Sequence, residues 1–267
     1  MPTLSKIKQL IFSILFPIVV LLFVKIFYKN NCYFLIVPII MSFFIAYSLF
    51  QKRMREKICF KNCYFKEDTF IAKIITSPYL TIVVYIVISL IYTISIIYSI
   101  VSFTWYLYLL LAFFIAFVFV LYHKLLSYFS KVINQEHLEI FTKELSIKIS
   151  SFVLLFIFML SFIYSYEPNY LSNSLEESLQ LATNSLSSKC IYLDYILRLK
   201  VELDTYFWFF AKQSSQILQY QEIKKTLVWI VFIVVNAISI LGLSRFIVQI
   251  ISLSSKIEDT KENKTDE

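Results

Sequence analysis

The sequence predicts an all-α polytopic membrane protein with about six transmembrane helices, and three observations lead to this prediction. Hydrophobic residues make up 59% of the 267 residues and charged residues 16%, whereas soluble domains contain about 45–50% and about 25%. The apolar residues are gathered in long runs, as a helix that crosses a bilayer requires. The chain has a single glycine, Gly242, which excludes the glycine-rich loops that bind nucleotides and phosphates.

Six runs approach the length of about 20 residues that the bilayer core demands. The predicted spans are residues 7–27, 32–50, 74–98, 104–122, 150–166 and 226–243. The first five form a membrane region over 1–166, and the sixth continues as an interfacial extension to residue 250. None has a charged residue at its centre, whereas transporters coupled to protons or sodium usually keep an ionisable residue inside the membrane.

The distribution of basic residues predicts the orientation. Loops 51–73 and 123–149 and both termini together hold 17 of the 25 lysines and arginines, and basic residues favour the cytoplasmic side. Both termini are therefore expected in the cytoplasm, in a chain of the bacterial cytoplasmic (inner) membrane. This bias accounts for most of the net charge of +7, so a nucleic-acid partner is not expected.

Residues 167–225 are the only large stretch predicted outside the cytoplasm. Apolar residues recur there at intervals of three or four, which is typical of helices. The chain must return to the sixth span, so a helical hairpin that turns near residues 187–189 is expected. The hairpin contains an aromatic run of five residues. The run is Tyr206, Phe207, Trp208, Phe209 and Phe210. It is interpreted either as hairpin core or lipid-interface residues, or as a docking surface for another envelope protein.

Two further segments lie on the predicted cytoplasmic side. Loop 123–149 has apolar residues at helical spacing, which favours an amphipathic helix that continues span four, lies on the membrane or binds a partner helix. Residues 251–267 are rich in charge and are predicted to be a disordered tail.

Polar residues within the spans form one candidate site, either a pore face or a helix-packing face. Most of them share one side of the third span. The candidates are Thr81, Tyr85, Ser89, Tyr92, Thr93 and, in the sixth span, Asn236. Their hydroxyl and amide groups can line a water-filled path or bond to neighbouring helices. Pro17 and Pro38, predicted at mid-span, add only a weak indication of broken transporter helices.

Catalytic and metal-binding constellations are not recognised, and no cofactor is expected. Cys59 and Cys63 lie one helical turn apart without the second pair of ligands that zinc requires. His123 and His137 are near one helix face but lack the spacing of known zinc motifs.

Cys32 and Cys190 are both predicted on the outer side, where an oxidising compartment would allow them to pair.

These observations favour a non-enzymatic integral membrane subunit or accessory protein of a membrane or envelope complex. Its expected partners are the lipid bilayer and one or more proteins in the membrane. The alternative is a channel or carrier for an uncharged or lipid-like solute, lined by the hydroxyls of the third span. A membrane enzyme is a third hypothesis, and it would depend on the histidines or on Cys59 and Cys63. The scarcity of glycine further predicts few close backbone crossings and wider helix separations.

Overall fold

The structure is a computed structural model, and it describes residues 4–29, 32–64, 70, 77–102, 105–163, 168, 170–185, 188–217 and 222–265. These residues form eight α-helices and contain no strand. The helices are α1 Leu4–Phe27, α2 Ile36–Tyr64, α3 Pro78–Ser102, α4 Trp105–Phe129, α5 Gln135–Ile163, α6 Leu175–Ser185, α7 Ile191–Ile217 and α8 Glu222–Thr265, with a 3₁₀ turn at Cys32–Leu35 before α2. The all-α prediction is confirmed for this part of the chain.

Within the described residues, five helices are long and apolar enough to cross a membrane, as expected for a multi-pass integral membrane protein. These candidate spans are Gln9–Phe27, Ile36–Lys61, Pro78–Val101, Leu107–Phe129 and Asn236–Lys256. The predicted span 150–166 occupies the second half of α5 up to Ile163, and its last three residues lie outside the described residues. A count of six spans therefore stays a prediction.

Helix α8 is the central helix of the bundle. It packs against each of α1 to α5, and 67% of its apolar window is buried, against 22–33% in the other four candidate spans. The described part of the apolar window, Asn236–Lys256, includes Arg245. The side chains of most of the predicted span 226–243 lie outside the described residues, so its position stays a prediction.

Several helix ends differ from the sequence-based expectation. Pro38 lies in the first turn of α2 rather than at mid-span, a position where proline breaks no helical hydrogen bond. The segment 123–149 is divided by a turn between α4 and α5 instead of forming one amphipathic helix. The tail predicted to be disordered continues α8 as far as Thr265, and Ile251 and Ser254 are buried against the bundle. Packing against the bundle accounts for the helix as far as Ser254, because these buried contacts are not visible in the composition.

Gly242 marks a close crossing between α8 and α3. A Cβ atom at this position would come within 3.0 Å of the Tyr92 Cβ and 3.1 Å of the Ile96 Cδ1. The first of these atoms is attached to the backbone of α3 and cannot move away without shifting that helix. The scarcity of glycine predicted few close crossings, and the single glycine allows one.

Replacing Gly242 by alanine is expected to destabilise the bundle by about 1–3 kcal/mol, the range for overpacking. Alanine is the better helix former by about 1 kcal/mol, so a net loss of stability would report the steric contact with Tyr92. Thermal unfolding of the purified protein in detergent measures the effect. Leu241→Ala, at the more exposed neighbouring position, is the control. A G242A variant as stable as the parent would contradict the close crossing.

Candidate functional site

Six charged side chains from three helices meet inside the bundle, and we call them the charge cluster. Its members are Lys52 of α2, Glu139, Lys143 and Glu144 of α5, and Arg245 and Lys256 of α8. The four basic and two acidic groups leave an excess of positive charge. Charges taken from water destabilise a protein unless they are paired, so the pairing geometry decides what the cluster can do.

The Glu144 carboxylate accepts hydrogen bonds from two cations that lie on different helices. Arg245 Nη1 donates to Glu144 Oε1 over 2.7 Å, and Lys52 Nζ donates to Oε2 over 2.9 Å. The Arg245 and Glu144 side chains are only 10% and 14% exposed. Arg245 also donates to the hydroxyl of Ser48 over 3.3 Å. This buried group links α2, α5 and α8.

Glu139 is the centre of a second group, one and a half turns earlier in α5. Lys143 Nζ lies 2.7 Å from Glu139 Oε1, and Lys256 Nζ lies 2.8 Å from Oε2. Ser252 of α8 donates to the same carboxylate over 3.0 Å. Lys143 is only 5% exposed and also donates to the amide oxygen of Gln51 over 3.2 Å. Each carboxylate therefore lies between two cations.

The protonation states follow from this pairing. Burial raises the pKa of Glu139 and Glu144, but hydrogen bonds and positive charge from their basic partners outweigh burial and hold both pKa values below the usual range. Burial lowers the pKa of Lys143, and the Glu139 carboxylate offsets part of that effect. Both carboxylates are thus ionised at neutral pH, as required for their role as bridges between cations.

The pairs also define how α5 and α8 run past each other. Arg245 contacts Glu144, and Ser252, further along α8, contacts the earlier residue Glu139, so the two helices are antiparallel. Buried polar atoms of both helices lack a hydrogen-bond partner among the described residues. They belong to Thr142, Ser146 and Ser151 of α5 and to Ser244 and Gln249 of α8. Buried polar groups are normally paired, so the α5–α8 contact is unusually polar for a membrane bundle.

A cleft of about 600 Å³ opens between α4, α5 and α8, next to the second group of the cluster. Its polar lining includes Ser127, Ser130, Gln135, Glu139, Ser255 and Lys256. The cleft lies beside the end of α4, where Ser127 and Ser130 line it.

At the opposite end of the bundle the segment before α7 is fastened to the end of α1 and the 3₁₀ turn before α2. Cys190, in the turn before α7, forms a disulfide with Cys32, with their Cα atoms 5.1 Å apart. The Ser188 hydroxyl donates to the carbonyl oxygen of Tyr28 over 2.6 Å, and the Lys189 amide donates to that of Lys29 over 3.2 Å. The structure thus brings together the two cysteines that the sequence left as an open pairing.

A charge pair on α7 makes a second contact with the bundle. Lys200 donates to Asp204 over 2.8 Å, and both side chains are largely buried. The Lys200 ammonium also lies 5.0 Å from the ring centroid of Tyr98, near the end of α3, a favourable cation–π distance. Helix α7 is therefore held both at the segment that precedes it and at its middle.

Helix α7 is apolar on two opposite faces. One face, with Leu193, Leu197 and Val201, is buried against the rest of the molecule. The other carries six exposed apolar side chains at intervals of three or four residues, which we call the α7 stripe. The stripe consists of Tyr192, Tyr195, Leu199, Leu203, Tyr206 and Phe210. Tyr195, Leu199 and Leu203 each lie two positions after a buried residue, about 200° around the helix, so the stripe faces away from the bundle.

The predicted aromatic surface is divided between these two faces. Tyr206 and Phe210 are exposed on the α7 stripe, Phe207 and Trp208 are half-buried, and Phe209 is buried. Consecutive residues point in different directions around a helix, so a contiguous run in the sequence does not make a contiguous patch. The sequence identified two members of the stripe and missed the four that precede them.

The polar residues of the third span lie in helix contacts. The Ser89 and Ser42 hydroxyls are 2.8 Å apart across the α2–α3 contact, and Thr93 donates to the Ser89 carbonyl. Thr81 is buried and accepts from Lys57 over 2.7 Å. The remaining candidates, Tyr85, Tyr92 and Asn236, are half-buried. These contacts favour the interpretation as a helix-packing face.

The residues tested for catalysis are dispersed. Cys59 and Cys63 are exposed thiols on α2, while His123 lies in α4 with its ring 4.4 Å from that of Phe119. His137 belongs to the first turn of α5. Within the described residues, no three His, Cys, Asp or Glu side chains are close enough to hold a metal ion.

No family profile, curated protein sequence or solved structure matches this chain. Function therefore has to be inferred from the site itself. The charge cluster was missed because its members fall in three segments that the sequence assigned to loops and tail. One signal was present: Arg245, Gln249, Ser252 and Lys256 recur at intervals of three or four, which places them on one face of a continuous helix.

Proposed function

We propose that this protein is a non-enzymatic accessory subunit of a membrane or envelope complex, and that it docks a partner protein through the α7 stripe. The observation that carries the proposal is the stripe itself. Large contiguous apolar surfaces exposed to water usually mark an interaction site, and this one follows a single helix over about five turns, from Tyr192 to Phe210.

The charges of α7 favour a protein partner over the lipid core. The helix carries the Arg198–Asp194 and Lys200–Asp204 pairs, and it is not among the candidate spans. An exposed apolar row with members at intervals of three and four is the pattern that an amphipathic partner helix packs against. The partner surface is expected to be a helix with a matching apolar row.

The attachment of the hairpin supports a docking role. The disulfide and the two backbone contacts fasten its turn to the end of α1, and Lys200 fastens the middle of α7 to Tyr98. A surface held in place before binding loses less conformational entropy when the partner arrives. The bundle would thus anchor the hairpin and fix the direction in which the stripe points.

The proposal includes the predicted topology, with six spans, cytoplasmic termini and the hairpin outside the cytoplasmic membrane. A disulfide between Cys32 and Cys190 supports an outer position for the hairpin, since disulfides persist in oxidising compartments. The cysteines on the opposite side of this topology, Cys59 and Cys63, are free. This arrangement agrees with a reducing cytoplasm.

Photocrosslinking in intact cells tests the docking role. A benzophenone amino acid at Tyr195 or Leu203 is expected to yield a discrete adduct with one protein, whereas the same group at Glu176, an exposed position of α6, is not. When Leu199→Asp is combined with either crosslinking position, the yield of the adduct should fall about tenfold or more, because a charge would be buried in the interface. Adducts with lipid alone, or equal adducts at Glu176, would contradict the proposal.

A channel or carrier for an uncharged solute remains the alternative prediction. Its candidate lining is used in contacts between α2 and α3, such as that of Ser42 with Ser89. The described geometry of the third span therefore supports packing, and the accessory role is the function we put forward.

A further inference from the structure

The face of α8 that contacts α5 carries a buried amide that the chain does not pair. Gln249 is 1% exposed, and neither its amide oxygen nor its amide nitrogen makes a hydrogen bond within the described residues. An amide removed from water without a new hydrogen bond destabilises the fold, and buried polar groups of proteins are nearly always paired. Gln249 therefore points to a partner that is not a protein atom.

The contacts of its neighbours on α8 define where Gln249 points. Arg245 donates to Glu144 of α5. Ser252, seven positions further along α8, donates to Glu139 of α5. Gln249 lies between the two donors, about 40° and 60° from them around the helix. Its side chain is thus directed at α5, level with the segment between the two carboxylates.

That segment of α5 has unused hydrogen-bonding groups of its own. The Thr142 side chain is fully buried, and its hydroxyl makes no hydrogen bond in the described part of the chain. The Lys143 ammonium has three N–H donors, of which one goes to Glu139 and one to Gln51. A third donor remains. Donors and acceptors are therefore available on both helices at the same level of the bundle.

Water is the ligand that fits this set of groups. A water molecule both donates and accepts, so it can accept from the Lys143 ammonium and from Gln249 Nε2 and donate to Gln249 Oε1. Buried waters typically make about three such hydrogen bonds. A cation is disfavoured by the adjacent Lys143 ammonium, and an anion by the two ionised carboxylates.

The cleft between α4, α5 and α8 gives water a route to these groups. Glu139 and Ser252 are hydrogen-bonded to each other, and both line the cleft. Ser252 lies three residues from Gln249, about 4.5 Å along the helix axis. Water in the cleft is thus less than one helical turn away from the buried amide.

We propose that the α5–α8 contact is an internal hydration site, in which ordered water pairs Gln249, Thr142 and Lys143. This water joins the Glu139 and Glu144 halves of the charge cluster and solvates their charges inside the bundle. The inference does not rest on the docking role of the α7 stripe, because none of its residues belongs to α7.

Thermal unfolding of the purified full-length protein in detergent distinguishes a hydrated contact from a dry one by the sign of the change. Gln249→Met keeps the length of the side chain and removes the amide. If water pairs the amide, the variant loses hydrogen bonds, and its Tm is expected to fall by about 3–6 °C. If the contact is dry, the variant removes unpaired groups and its Tm stays equal or rises, which would overturn the inference.

The matched control is Gln180→Met, at an exposed position of α6, which should leave the Tm nearly unchanged. Thr142→Val is the second variant, since it keeps the shape of the side chain and removes only the hydroxyl. Its Tm should also fall if the contact is hydrated. If Gln249→Met does not fold, the sign of the Thr142→Val change decides.

Water-edited solid-state NMR of the protein in liposomes, with the glutamine side-chain amides labelled with ¹⁵N, observes the water directly. The signals of Gln249 and Gln180 are assigned by their absence in the two methionine variants. Magnetisation from water is expected to reach the buried Gln249 amide about as fast as the exposed Gln180 amide. A Gln249 signal that builds up much more slowly would show a dry contact and would exclude the hydration site.

Discussion

Replacing Arg245 by alanine is expected to destabilise the protein by about 3–5 kcal/mol, the usual cost of leaving one partner of a buried ion pair alone. Arg245 and Glu144 are 2.7 Å apart with about a tenth of each side chain exposed. The variant would leave Glu144 with Lys52 as its remaining cation. Thermal unfolding in detergent, followed by tryptophan fluorescence, measures the loss.

The chain supplies a matched control for this prediction. Arg198 forms an ion pair with Asp194 on α7, but its side chain is 52% exposed, so Arg198→Ala should cost less than about 1 kcal/mol. Losses of similar size in the two variants would contradict a buried cluster and would indicate that Arg245 is as solvated as Arg198.

The same pair predicts a dependence on pH. Because the partners of Glu144 hold its pKa below the usual range, its ionised form stabilises the fold above the pKa of an unfolded glutamate. That stabilisation is lost as the pH falls through the lowered folded pKa. Glu144→Gln should therefore lower stability near neutral pH and reduce the loss on acidification. An unchanged acid profile in this variant would show that Glu144 does not contribute.

Removing the disulfide with Cys190→Ser is expected to destabilise the hairpin by about 2–5 kcal/mol. Cys32 and Cys190 are separated by 158 residues in the chain, so the bond restricts a long loop in the unfolded state. The readout is proteolysis of intact cells or spheroplasts, in which α6 and α7 should be cleaved faster than in the parent. The Ser188 contact with Tyr28 should keep the start of α7 partly attached to the end of α1.

Cys59→Ser is the control, because Cys59 is an exposed free thiol and its loss should leave proteolysis unchanged. Labelling with a membrane-impermeant maleimide extends the test to topology. Before reduction no thiol should react from outside, and after reduction Cys32 and Cys190 should react while Cys59 and Cys63 do not. Labelling of Cys59 in intact cells would contradict the proposed orientation.

Helix α8 shows why burial can be read only in part from hydropathy. The span predicted from the sequence ends at Leu243, two residues before Arg245. In the structure burial continues past Arg245 as far as Ser254, and Glu144 of α5 pairs with Arg245. The partner of a charge on another helix is not visible in a linear sequence.

The α7 stripe illustrates a feature that local sequence periodicity predicts in part. Helical periodicity is a local property, and it predicted both that 167–225 would fold as helices and that its apolar residues would be grouped. Which group faces inward depends on the contacts of Leu193, Leu197 and Val201 with the rest of the molecule. The aromatic run 206–210 was treated as one surface because it is contiguous in the sequence, whereas the helix divides it between two faces.

The sequence by itself determined the class of protein and most of its helices, because the apolar content and its run lengths depend only on local composition. It also identified the polar face of α3, and it left the pairing of Cys32 with Cys190 open. Tertiary structure alone decided that Lys52, Glu139, Lys143, Glu144, Arg245 and Lys256 form one cluster, and that Gly242 allows the close approach of α8 to Tyr92. Both features arise from contacts between residues far apart in the chain, and such contacts leave no periodic signal.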